Sequence, residues 1–121
     1  TPAYPKQRSF VGGSMGDTSV IIEGLDSNES KKAIYSTIHG AGRIMSRTEA
    51  AGKYRNGKRS GGKISRQMML DWIERENVEL RGANTDESPH CYRRLTQVLK
   101  HHAPTIRVLH KLQPIGVAMA H

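Results

Sequence analysis

One cysteine, one tryptophan and one phenylalanine are all that these 121 residues hold of three residue types that staple or fill small cores. With Cys91 alone no disulfide closes within the chain, which excludes a cystine-stapled scaffold and fits a reducing compartment. Aromatic residues make up 5% and hydrophobic residues 36%, so apolar burial is scarce against the entropy of the chain. Twelve glycines add to that entropy. Such a chain is either loop-rich or completes part of its core against a partner. No apolar run is long enough to cross a bilayer and no signal peptide is recognisable, so membrane partners are not expected and the expected setting is cytoplasmic. The length suits one domain. The start at Thr1 rather than Met suggests a processed chain or one excised from a longer sequence.

Acidic side chains are also few: 11 Asp plus Glu against 19 Lys plus Arg, a formal net charge of +8. The excess is clustered. Arg43, Arg47, Lys53, Arg55, Lys58, Arg59, Lys63 and Arg66 crowd one stretch, and Glu49 is the one acid among them. A run of this kind serves as a solvated surface, and it equally suits a partner rich in phosphate, nucleic acid above all.

The pattern along the chain is that of an α+β fold: a mixed sheet, a few helices and long glycine-rich loops. Residues 1–9, polar with Pro2 and Pro5, read as an entering linker or strand. Phe10-Val11 closes a short strand, Gly12–Gly16 forms a glycine-rich turn, and Thr18–Ile22 has the β-branched content of a strand. Asp26 with Glu29 resembles a capping box opening a helix near Ser30–Ser36. Residues 52–63, with four glycines and several cations, predict a mobile surface loop. Ser65 caps a helix over roughly 66–77, whose Met68, Met69, Trp72 and Ile73 form one stripe. That stripe reads as core packing, with base stacking by Trp72 as the alternative. Val78–Leu80 predicts a strand, 81–84 a turn, and 85–89 a polar loop leading to Tyr92. A helix near Leu95–Ala103 carries Leu95, Val98 and Leu99 on one face and stops at Pro104. Ile106, Val108, His110 and Leu112 alternate as in a strand, and the apolar run Ile115–Met119 predicts a strand buried on both faces.

Several chemistries find no support. The six histidines, His39, His90, His101, His102, His110 and His121, show no paired His/Cys spacing, and adjacent His90-Cys91 chelate poorly, so no metal ligand is assigned. There is no Gly-x-Ser-x-Gly element, and the carboxylates form no evident acid–base pair. Tyr35-Ser36-Thr37-Ile38-His39-Gly40-Ala41-Gly42-Arg43 differs. Gly40 and Gly42 remove side chains that would block a ligand and leave backbone N–H groups free to face an anion. Arg43 offers a planar fork for phosphate oxygens. The segment reads as a histidine meeting a phosphate, although an ordinary polar turn has the same composition. Three loops are candidates to converge on an anion: Gly13–Ser19, His39–Arg43 and the region of Tyr92, where Ser14 and Ser19 donate hydrogen bonds and Tyr92 stacks or donates its hydroxyl.

Gly13-Ser14-Met15-Gly16 with Ser19, the stretch Tyr35–Arg43 with Met45-Ser46-Arg47, and Pro114-Ile115-Gly116-Val117 together resemble the C-terminal part of the RtcB family over nearly the whole chain. These are GTP- and manganese-dependent RNA ligases of tRNA splicing and RNA repair. The resemblance implies that residues 10–121 are the C-terminal portion of such a ligase, incomplete without an N-terminal half carried on a longer chain or a separate subunit. It implies that His39 is the nucleophile that takes GMP from GTP and passes it to an RNA 3′-phosphate or 2′,3′-cyclic phosphate end for joining to a 5′-hydroxyl. It implies guanine contacts for Ser19 and Tyr92, a nucleotide-lining role for Ser14 and for Gly40, Ala41 and Gly42, and phosphate contact for Arg43. The partners implied are RNA ends and an archease-type accessory protein. The family's guanine-reading lysine aligns near Met119, so base preference does not carry over. Its manganese ligands, an Asp, a Cys and several His, belong to the N-terminal part, and Cys91 does not take their place. The chain alone is therefore expected to be inactive, as a fragment, one piece of a split enzyme or a degenerate relative. Two other readings stand beside this one: a non-catalytic RNA-binding module using the basic segment 53–66, and a domain that only completes a partner's core.

Overall fold

The computed structural model describes residues 1–120; His121 lies outside the described residues. In chain order the strands are β1 Arg8–Val11, β2 Ser19–Gly24, β3 Gly52–Arg55, β4 Lys58–Gly61, β5 Glu79–Arg81, β6 Ile106–Leu112 and β7 Gly116–Ala118. The helices are α1 Asn28–Lys32, α2 Arg47–Ala51, α3 Arg66–Arg75 and α4 Leu95–Lys100, with two 3-10 turns at Thr85–Glu87 and Pro89–Cys91. This is the expected α+β content. The chain divides into two units: Thr1–Gly13, Asp17–Ala41 and Arg94–Gln113 form the first, while Ser14–Gly16, Gly42–Arg93 and the segment from Pro114 form the second.

The first unit is built on an antiparallel sheet of order β1-β2-β6. Side chains alternate across a strand, so β2 sends Val20 and Ile22 inward at 1% and 0% exposure. They meet Ala3, Val11, Ala41, Leu95, Leu99 and Ile106 in one apolar cluster. Ahead of β1 the opening residues pack against the first unit through isolated bridges, Pro2 with Ser36 and Pro5 with Gly24. Ala3 is buried and donates its N–H to the Tyr35 carbonyl at 2.7 Å, and Lys6 donates to Gly24 at 2.9 Å. Helix α1 is capped by Ser27, not Asp26: Ser27 Oγ accepts the Ser30 N–H at 3.0 Å. The helix ends at Lys32, short of the expected Ser36, because Ile34 and Tyr35 turn into the left-handed region at φ 56° and 49°. Helix α4 also stops before Ala103, in a turn where the His102 carbonyl accepts the N–H groups of Thr105 and Ile106.

In the second unit the expected mobile loop at 52–63 is a regular antiparallel hairpin. Strands β3 and β4 pair as Gly52–Gly61, Lys53–Ser60, Tyr54–Arg59 and Arg55–Lys58. Asn56 and Gly57, at φ 48° and 76°, make the two-residue turn that fits the twist of paired strands. The glycines around this Asn-Gly pair masked the signal. Helix α3 begins at Arg66 with Ser65 as its cap, as expected, and buries Met69 and Ile73. Met68 turns outward at 39% exposure, so the predicted stripe is narrower than its composition. Trp72 donates Nε1–H to the Gly16 carbonyl at 3.1 Å and meets the His90 ring edge-on at 4.9 Å. Strands β5 and β7 pair in parallel. The segment Ile115–Met119 is not buried on both faces: Ile115 is 86% exposed, and only Val117 packs against the Met15–Met69–Ile73 cluster. Two strands alone cannot cover two faces. A second small cluster joins Ala50, Ile64 and Cys91 with Met45 and Tyr92.

Candidate functional site

In the first unit, the loop after β1 and the histidine segment run side by side. Gly12 and Gly40 form a parallel bridge, and the Gly13 N–H donates to Ser19 Oγ at 3.0 Å. Ser19 thus acts here as an acceptor that ties the loop shut. Gly13 is required by close approach, since a Cβ there would lie 2.3 Å from the Thr18 carbonyl oxygen. The loop is anchored beneath by Asp17, 3% exposed. Its carboxylate accepts the Thr18 N–H at 2.8 Å and the Leu95 N–H at 2.9 Å, and it lies 3.4 Å from Arg94 Nε. His39 emerges from this frame exposed, with no hydrogen-bond or ion-pair partner among the described residues. A side chain at Gly40 would meet only the Gly12 carbonyl, at an ordinary 3.5 Å, so the backbone there is not closely covered. Ala41 is buried in the cluster below.

In the second unit, Arg43 and Tyr92 are brought together by an antiparallel bridge. The Arg43 guanidinium donates from Nε to the Met45 carbonyl at 3.0 Å, from one η nitrogen to the Tyr92 hydroxyl at 2.9 Å, and from the other to the Asp86 carbonyl at 2.6 Å. It also stacks over the Tyr92 ring at 4.9 Å. The Tyr92 hydroxyl donates to Glu87 Oε2 at 2.5 Å. Arg47 pairs with both Asp86 and Glu87. Arg43 is therefore fixed in a network, with three of its donors committed to protein acceptors. Gly42, at φ 83°, makes the turn into that network and its carbonyl accepts the Arg93 N–H. Ser14 is half-buried just before Met15.

Asp86 and Glu87 were not singled out in the sequence, where they fell in a polar loop. Their signal is charge complementarity: adjacent acids in a basic chain need cationic partners, and Arg43 and Arg47 supply them. Asp17 was likewise missed, because nothing in its local sequence reveals that it caps α4 from 78 residues away. Two neighbouring groups carry perturbed acidities. Burial, with the Arg75 charge, pulls His90 below the usual imidazole range while its Nδ1 shares a 2.8 Å hydrogen bond with Ser88. Burial pushes the Cys91 thiol up, and its Sγ lies 3.4 Å from the Thr85 carbonyl, so it is a packed thiol rather than a nucleophile. Among the described residues no three His, Cys, Asp or Glu come together to hold a metal ion. The residues present therefore do not fit a manganese site. No helix of the described residues is long and apolar enough to cross a membrane.

A family model described as tRNA-splicing ligase RtcB matches residues 3–120. The tRNA-splicing ligase RtcB of Pyrococcus horikoshii is 32% identical over 114 residues, a match covering 93% of this chain and 12% of that protein. The protein of the same name from Archaeoglobus fulgidus is 30% identical over 118 residues, covering 93% and 22%. The RNA-splicing ligase RtcB of Mycobacterium tuberculosis is 28% identical over 116 residues, covering 91% and 24%. The chain thus spans a quarter or less of the length of these relatives.

Proposed function

The chain belongs to the RtcB family, and from that premise we propose that it is the C-terminal portion of an RNA ligase and carries the histidine that accepts GMP. The observation that carries this reading is His39 itself: an exposed imidazole without a partner among the described residues. A neutral imidazole is nucleophilic near neutral pH. A ring nitrogen of His39 donates its lone pair to the α-phosphorus of GTP. The new N–P bond forms as the bond to the bridging oxygen breaks, and pyrophosphate leaves. The GMP then passes to the 3′-phosphate of an RNA, and the 5′-hydroxyl of a second end displaces it to seal the strand.

Phosphoryl transfer depends mainly on positioning and charge stabilisation. This reading assigns Ser14, Ser19, Gly40, Ala41, Gly42, Arg43 and Tyr92 to the nucleotide. The committed donors of Arg43 support it as a cation held in one orientation. Manganese has no ligand set among the described residues, so we assign its ligands to an N-terminal half and route no step of this chain's chemistry through it. The RNA chemistry and the single buried thiol support a cytoplasmic setting.

The test is intact-mass measurement after incubation with GTP and Mn²⁺, with the N-terminal half supplied. One GMP should appear on the wild-type chain and none on His39→Ala. A full-size adduct on the alanine variant ends the assignment. A second reading, a non-catalytic RNA-binding module, is favoured by Lys53, Arg55, Lys58 and Arg59, which have no acidic partner among the described residues. RNA binding without any adduct, N-terminal half present, would select it.

A further inference from the structure

We infer that the β3–β4 hairpin is a docking arm for single-stranded RNA, with one face tracking phosphates and the other stacking an unpaired base. Residues directly opposite across an antiparallel pair share a face, and faces alternate along each strand. The register therefore puts Lys53, Ser60, Arg55 and Lys58 on one side and Tyr54 with Arg59 on the other. Lys53, Arg55 and Ser60 of the first side line an open groove of about 680 Å³, together with Ser46, Glu49 and Lys63. Glu49 is the one acid lining it, and it is held by Lys63 at 2.5 Å. Lys53, Arg55, Lys58 and Arg59 have no acidic partner among the described residues, whereas Arg43 and Arg47 are paired to Glu87. Lys53, Arg55 and Lys58, three uncompensated cations on one face of the arm, form an electrostatic footprint for a chain of phosphates.

The opposite face explains the choice of a single strand. Tyr54 is 69% exposed, and Arg59 sits 5.7 Å above its ring. A solvent-facing ring backed by a guanidinium offers a base a stacking surface and a cation–π contact together. Bases inside a duplex are already stacked and cannot use it. A membrane surface is disfavoured, because the hairpin tip is Asn56-Gly57 and carries no apolar anchor. The choice of RNA over another polyanion rests on the ligase reading above; the phosphate-tracking geometry does not.

The experiment measures binding of this chain to a labelled, unstructured oligoribonucleotide and to an RNA duplex of equal length, over a salt series. Circular dichroism confirms that each variant is folded, as exposed positions allow. Lys53→Ser/Arg55→Ser/Lys58→Ser together should weaken binding at low salt by tenfold or more. They should also flatten the slope of log affinity against log salt by about 2, given about 0.7 per phosphate contact on a single strand. Tyr54→Leu should weaken binding about tenfold while leaving the salt slope unchanged. An unaltered slope in the triple variant, equal affinity for duplex, or equal displacement by polyglutamate of matched charge would each overturn the proposal. GMP transfer to His39 is read separately, with the N-terminal half supplied. Hairpin variants should keep the adduct, and His39→Ala should keep RNA binding. Loss of adduct in the wild type would fault the ligase reading alone, and unchanged RNA binding in the hairpin variants would fault the arm alone.

Discussion

At the scale of single residues, the two side chains with the largest local consequences differ in kind. His39 is unencumbered, whereas Asp17 is almost fully enclosed and ties the loop before β2 to the start of α4. Replacing Asp17 with Ala strips the Leu95 N–H of its acceptor inside the unit. A buried donor left unsatisfied costs about 1–3 kcal/mol, so urea unfolding of Asp17→Ala should show a stability loss in that range. His90 gives a pH test. Its folded pKa is depressed, so the unfolded chain takes up a proton more readily as pH falls. The sign follows: this contribution is complete above the ordinary imidazole range, about 6.5, and is lost as pH drops through the folded value. Melts followed by Trp72 fluorescence should weaken below about pH 6.5, and His90→Gln should remove part of that slope.

At the scale of elements, turn chemistry decided more than periodicity. Asn56-Gly57 makes a hairpin of a segment whose glycines and cations suggest a loop, because both residues accept the left-handed backbone that closes two paired strands. The end of α1 runs the other way. Ile34 is β-branched, 80% exposed and held at φ 56°, where its side chain crowds the backbone while gaining little from burial. Asn tolerates that region, so Ile34→Asn should stabilise the chain by about 1 kcal/mol and raise the melting temperature. An unchanged or lower melting temperature would show that Ile34 makes a contact worth more than its strain.

At the scale of the molecule, the cores are small. The first unit's cluster has eight buried residues, and the second unit's clusters have five and three. Exposed Ile34, Ile44 and Ile115 carry apolar surface that nothing described covers. A partner that binds the folded state raises its stability by mass action. The melting temperature of the chain should therefore rise with the concentration of an added N-terminal half and saturate; no shift would argue that the two do not associate.

The sequence by itself determined the α+β pattern, the Ser65 cap, the strand through Thr18–Ile22 and the family to which the chain belongs. Those features rest on local rules: β-branched content, cap chemistry and the contiguous His39–Arg43 motif. Only the tertiary structure decided that Arg43 is locked against Tyr92 and Asp86, that Asp17 caps a helix far along the chain, and that Ile115 stays exposed. Each of these depends on groups distant in sequence meeting in space, and no local pattern encodes which distant acceptor a buried donor will find.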